Sequence, residues 1–389
     1  MFACWLPPLF GQIDGKFSLE KYTYFVGEPI MLIFELRNTS KETLTVPTAD
    51  PHSFCSGYAI TVTGEEPPGP PGPSTCDKVM GGGSCAFGFT RMKPGAQRTQ
   101  RYLLNSEHDL SKPGRFHVEA KYRVGYTTGE VAEWTGGQEL SFAETFDIVL
   151  EMAKDSAAAD AAVRPYLADL HSQDFERRQE AARAIAAVAP ASAEEVLVEM
   201  LDDTPLAQFG IEGLQKLNTE TARQTLASLA LSTKQEWARD RAIESLGDMG
   251  DKSYLPFLVD MIGKVPGSHQ GLFKAIAKLG GDGSLATLIP YLWSADAATQ
   301  NQAIWALTAT GSRQALALLV AKLLDPNEQN RYAAGAGLVE MTHRSPSEGA
   351  WPGADFKMNS ALWQRWLLAE GGTARLYAPD QCGPIERLR

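Results

Sequence analysis

One spacing dominates the C-terminal half: a small residue stands four positions before an aliphatic one, and the pair recurs about every thirty residues. The pairs are Ala181/Ile185, Gly210/Leu214, Ala242/Leu246, Ala275/Leu279, Ala303/Leu307 and Ala334/Leu338, at intervals of 29, 32, 33, 28 and 31. Residues four apart lie on the same helix face, so each pair marks one buried stripe. A small side chain in register allows neighbouring helices to approach closely. A turn and a second apolar helix follow each first helix, as in Gly247–Ile262 and Gly280–Trp293, with Pro256 and Pro290 at matching places. A helix–turn–helix unit near thirty-one residues is the signature of a repeat array.

The N-terminal half reads differently. Ile30, Leu32, Phe34 and Leu36 alternate to one face, the period of a half-buried strand. Strands are predicted over Lys16–Phe25, Glu28–Asn38, Leu44–Val46, Tyr58–Thr63, Ala86–Met92, Arg98–Leu104, Arg115–Tyr126 and Leu140–Met152, separated by Gly, Pro, Asn and Ser turn signals. Short strands without helical stretches predict a β-sandwich. The Pro/Gly-rich run Gly64–Ser84 forms a long loop within it. Four regions result: an apolar leader over 1–12, a sandwich over 13–152, a helical array over 153–344, and a C-terminal cap and tail over 345–389. In the last, Trp363 and Trp366 are expected to close the final repeat.

The run Tyr22–Pro47 resembles the opening hairpin of immunoglobulin-like sandwiches in bacterial extracytoplasmic proteins. The repeat over Phe175–Arg344 resembles the HEAT repeats, in particular the short bacterial type first noted in phycobilisome lyases. These resemblances imply a multidomain β + α chain: an immunoglobulin-like β-sandwich followed by an α-solenoid of about six HEAT-like hairpins. Arg178, Arg239 and Arg331 share one repeat position. The resemblance implies a structural ladder there, holding acidic or carbonyl groups of a neighbouring repeat.

Net charge is −11, and no basic run exists to displace counterions from phosphates. Nucleic acid is therefore not an expected partner. No stretch approaches the length of a membrane-spanning apolar helix. Of the five cysteines, Cys55, Cys76 and Cys85 cluster around the Pro/Gly loop without a C-x-x-C pair. They are candidates for a disulfide tether rather than for zinc. The leader MFACWLPPLFGQ lacks a positive n-region and reads as a signal-peptide remnant, which suggests an extracytoplasmic location. A complete N-terminus would instead suggest the cytoplasm.

Candidate chemistry is sparse. Asp50, His52 and Cys55 stand close together, but three mixed ligands in one segment fall short of a metal site. Asp248, Asp251 and Asp282 read as helix caps beside turn glycines. No Ser/His/Asp arrangement, G-x-S-x-G or phosphate loop occurs, so neither a catalytic site nor a cofactor is expected. Trp237, Tyr254, Trp293, Trp305 and Tyr332 are the candidates for a partner-binding face. The expected function is non-enzymatic protein binding, with the partner's identity open. A secreted protease inhibitor built on the sandwich is an alternative. A lyase role, implied by the phycobilisome resemblance, is a weaker one.

Overall fold

The computed structural model describes residues 12–48, 51–52, 57–64, 88–108, 110–128, 138–152, 156–264, 270–346, 356–377 and 386–388. These residues form a sheet-rich unit through Ser192 and a helical unit from Ala193 onward. The composition change at Ala153 thus marks a change of secondary structure within the first unit, because its last two helices belong to it.

The first unit contains β1 (Ile13–Leu19), β2 (Thr23–Phe25), β3 (Met31–Asn38), β4 (Leu44–Thr48), β5 (Tyr58–Gly64), β6 (Gly88–Met92), β7 (Gln97–Leu103), β8 (Gly114–Thr128) and β9 (Gln138–Glu151). Helices α1 (Ser156–Asp169) and α2 (Phe175–Val188) complete it. One sheet has the order β1-β3-β7 and the other β2-β9-β8-β4-β6, with β5 also paired to β8. The alternation read from the sequence has a physical basis. Leu32, Phe34 and Leu36 of β3 meet Val118, Ala120, Tyr122 and Val124 of β8 in one buried cluster drawing on both sheets. Phe34 lies at its centre, with ring centroids 4.7 Å from both Phe17 and Tyr122.

Two features differ from the sequence reading. The predicted strand Lys16–Phe25 is two strands in different sheets: β1 pairs antiparallel with β3, whereas β2 pairs parallel with β9. The chain changes sheet at Glu20–Tyr22, where Lys21 pairs with Glu28 and the Tyr22 carbonyl accepts the Val149 amide at 2.9 Å. The outer face of the first sheet is also covered. Met31 and Leu103 pack against Ala184 of α2, flanked by Tyr166 and Ala187. Burial pushes the Tyr166 hydroxyl up to about 12.

The second unit contains α3 (Glu194–Glu199), α4 (Ala207–Leu217), α5 (Glu220–Ser232), α6 (Glu236–Met249), α7 (Leu255–Met261), α8 (Gln270–Gly280), α9 (Leu285–Leu288), α10 (Ala297–Ala309), α11 (Arg313–Lys322), α12 (Glu328–Thr342) and α13 (Phe356–Ala369). A two-residue parallel ladder joins β10 (Arg344–Ser345) to β11 (Glu386–Arg387). Helices α4, α6, α8, α10 and α12 pack in succession, each on the next. Their aligned aliphatic residues, Leu214, Leu246, Leu279, Leu307 and Leu338, are completely or almost completely buried, as are the small residues Ala242, Ala275, Ala303 and Ala334. Close approach explains the small residues. A Cβ on Gly210 would lie 2.7 Å from the Leu197 carbonyl oxygen, and one on Gly247 would lie 2.7 Å from Cα of Ala275. Helix α12 is buried over most of its circumference, and α13 packs on α11 with Trp363 and Trp366 buried edge-to-face at 5.3 Å. Arg313 donates to the carbonyls of Gly371 and Ala374, which fixes the chain beyond α13.

Replacing Gly247 with valine should cost about 1–3 kcal/mol, because the α6–α8 contact has no room for a side chain. Urea unfolding would measure it. Gly283→Ala is the control: its Cβ meets open space, so its effect should stay within about 0.5 kcal/mol.

Candidate functional site

The loops leading into α6, α10 and α12 share one local design. In the second unit, Thr233 Oγ1 accepts the Gln235 amide, Ser294 Oγ the Asp296 amide, and Asp325 Oδ1 the Asn327 amide, at 3.1, 3.1 and 2.9 Å. Asp296 and Asn327 then cap α10 and α12 through their side chains. Further along each helix, a long polar side chain reaches back six residues. Arg239 donates to the Thr233 carbonyl at 2.9 Å and Arg331 to the Asp325 carbonyl at 3.0 Å. In the repeat with glutamine at this position, Gln300 donates to the Ser294 carbonyl. The arginines therefore hold carbonyls of the loop that leads into their own helix. In the first unit, Ser172 Oγ accepts the Asp174 amide at 3.1 Å, Asp174 caps α2, and Arg178 lies 5.7 Å from the Phe175 ring. The sequence signal was available as Ser/Thr/Asp, then Asp/Asn/Gln two residues on, then Arg/Gln four beyond that.

Polar side chains link successive first helices. Arg241 of α6 approaches Glu212 of α4 at 3.7 Å, Ser245 donates to Gln215 Oε1 at 2.7 Å, and Asp248 pairs with Lys278 of α8. Asp248 thus bridges two helices instead of capping one. Asp251 does cap, accepting the Ser253 amide at 3.0 Å, and it also meets Arg223 at 3.2 Å. Asp282 lies inside its short turn, whose N-cap position is Gly280.

The five candidate aromatics fall into different settings. Trp237, in the first turn of α6, and Tyr332, the fifth residue of α12, are exposed at 43% and 42%. Trp305 is half-buried. Tyr254 is half-buried and donates to Glu220 at 3.4 Å, beside Arg223. Trp293 is more exposed, at 64%, but its ring lies 4.2 Å from the ammonium of Lys322. Lys322 is only 3% exposed and pairs with Asp325 at 2.8 Å. Asn330 ties this pair to Gln300, donating to Asp325 at 3.2 Å and to Gln300 at 2.9 Å. Burial pushes the Asp325 carboxyl up, but Lys322, the Asn327 amide and Asn330 outweigh it and hold the group below the ordinary range. Sequence reasoning missed this network because its members come from four separate segments.

The first unit contains a cleft of about 510 Å³ beside β7 and α2. Arg98 and Arg101 of β7 and Arg177 and Arg183 of α2 are among its lining, with Thr48 and His52 on another side. Arg101 pairs with Glu180 at 3.2 Å. Burial raises the Glu180 pKa, and Arg101 opposes the rise. His52 stacks on Tyr102 at 4.3 Å; its Nε2 accepts the Leu103 amide at 3.1 Å, and its Nδ1 faces Ser106 and Glu107. The ring is held by the end of β7. Among the described residues no group of three or more His, Cys, Asp or Glu could hold a metal ion, and no helix is long and apolar enough to cross a membrane. Cys55, Cys76 and Cys85 lie outside the described residues, as does Asp50.

No family model matches the chain, and no curated protein matches it. Among solved structures, YibA of Escherichia coli is 19% identical over 49% of this chain and 76% of its own, with a TM-score of 0.34. The CpcE–CpcF complex of phycocyanin lyase from a Nostoc species is 22% identical over 48% and 77%, with a TM-score of 0.35. Salmonella alpha-2-macroglobulin reacted with methylamine is 9% identical over 84% of this chain and 26% of its own, with a TM-score of 0.18.

Arg331→Gln should retain most of the stability of the parent, since Gln300 makes the equivalent bond, whereas Arg331→Leu should lose about 1–2 kcal/mol in denaturant titrations. The depressed Asp325 carboxyl sets a pH dependence. Its contribution is complete above the unfolded value of about 4 and disappears as pH falls through the lower folded value. Asp325→Asn should therefore lose less stability than the parent between about pH 5 and pH 3. An equal acid dependence in the two proteins would contradict this assignment.

Proposed function

We propose that this protein is a non-enzymatic, extracytoplasmic protein-binding scaffold: an immunoglobulin-like sandwich carrying a HEAT-type α-solenoid whose helical surface binds a protein partner. The observation that carries this reading is the unbroken succession α4-α6-α8-α10-α12. Stacking consumes its aligned aliphatic residues, while Trp237 and Tyr332 remain exposed near the starts of α6 and α12. A helical array of this kind presents an extended surface without a single deep pocket, which suits recognition of another macromolecule. Exposed aromatics supply much of the binding energy at protein interfaces. The extracytoplasmic part rests on the apolar leader and the clustered cysteines.

The test is cross-linking capture from native extract with the full chain and its Trp237→Ala/Tyr332→Ala variant, after confirming equal thermal stability. A partner held reproducibly by the parent and reduced at least about tenfold in the variant is the expected result. Equal capture by both would remove this surface as the binding face. Turnover of a substrate by the purified chain would overturn the non-enzymatic reading.

A further inference from the structure

Among the described residues, strand β7 is the outer strand of its sheet, with β3 on one side only. The Leu104 amide donates to Ile30 on the β3 side, so Tyr102, Gln100 and Arg98 also turn their backbone groups toward β3. Thr99, Arg101 and Leu103 turn theirs to the opposite edge. His52 closes one end by accepting the Leu103 amide. At the opposite edge of the same sheet, Glu144 closes β1 by accepting the Phe17 amide at 3.0 Å. Among the described residues nothing accepts the Thr99 and Arg101 amides. Both residues line the cleft.

The cleft is lined by four arginines against three carboxylates, Asp174, Glu176 and Glu180, in a chain whose net charge is −11. Two of its carboxylates are committed: Asp174 to the cap of α2 and Glu180 to Arg101. Arg177 approaches Asp174 no closer than 3.9 Å. Nη1 of Arg98 is buried and has no hydrogen-bond partner among the described residues. A buried guanidinium donor without an acceptor is costly, and a carboxylate is the group that best satisfies it.

We propose that this cleft binds an extended, acidic segment of a partner protein, which adds to β7 as a further strand. The segment's carbonyls accept from Thr99 and Arg101, and its amides donate to their carbonyls. Successive side chains point to opposite faces. One set of carboxylates meets Arg98, and the alternate set meets Arg177 and Arg183 on α2. This is β-strand addition with charge selectivity from the flanking arginines. It is independent of the helical surface, so either assignment can fail alone.

The probe is a fluorescent synthetic peptide of alternating Glu and Val, titrated against the full chain by anisotropy at low salt. Saturable binding is expected, at least about tenfold weaker for the Gln/Val peptide and for Arg98→Met. N-methylation of alternate peptide amides should abolish binding without altering charge. Hydrogen exchange at Thr99 and Arg101 should slow in the complex. Thr99→Pro removes an edge amide while sparing the β3 ladder, and should also abolish binding. The Trp237→Ala/Tyr332→Ala variant should bind the peptide normally. No binding at millimolar peptide, or full binding of the N-methylated peptide, would overturn strand addition. A gain in affinity on deleting residues 65–84 would show that the chain's own Glu65–Glu66 stretch occupies the edge, overturning the assignment to a partner.

Discussion

Close approach between neighbouring helices is the constraint on which the helical unit depends. Where Gly247 faces Ala275, one helix backbone lies against the next with no side chain between them. Dispersion forces fall steeply with distance, so a contact this tight gains more than a looser one, and it tolerates little enlargement. Ala275 is the small residue of its own repeat pair, and Ala242, Ala303 and Ala334 are buried at the matching place in theirs. The aliphatic residue four positions away then fills the groove beside each small one. The repetition in sequence thus reflects one packing arrangement repeated from helix to helix.

The first unit uses a related device for a different surface. Ala184 and Ala187 of α2 lie against Met31 and Leu103 on the outer face of a sheet. Polar groups finish what apolar packing leaves open. Loop carbonyls are taken by Arg239, Gln300 and Arg331, and strand-edge amides by Glu144 and His52. In each case a buried backbone group that lacks a secondary-structure partner receives a side chain, as the cost of leaving it bare requires.

Periodicity made the helical repeat and most strands legible, because each depends on residues close together in the chain. The transfer of the chain between sheets after β1 was hidden. Lys16–Phe25 alternates well enough for one strand, and only pairing with β9, far along the chain, separates it into two. The placement of α2 on the sheet was hidden for a similar reason, since its alanines look alike whether they face a helix or a strand. Aromatic type alone did not reveal setting: Trp293, the more exposed, also lies over the buried ammonium of Lys322, whereas Trp237 and Tyr332 are partly exposed. The cleft arginines escaped notice because two come from a strand and two from a helix far along the chain from it.

The pairing of β2 with β9 has a consequence for synthesis. Thr23 is aligned with Val149, so residues made near the start of the chain wait for a strand made well over a hundred residues later. On a ribosome the N-terminal strand is exported long before its partner exists. Strands β1, β3 and β7 can assemble during that interval, but the second sheet cannot close around β2 until β9 has cleared the exit tunnel. Emergence of Glu151 is therefore the natural commitment point for the nascent sheet-rich unit, and an open strand edge until then invites a chaperone.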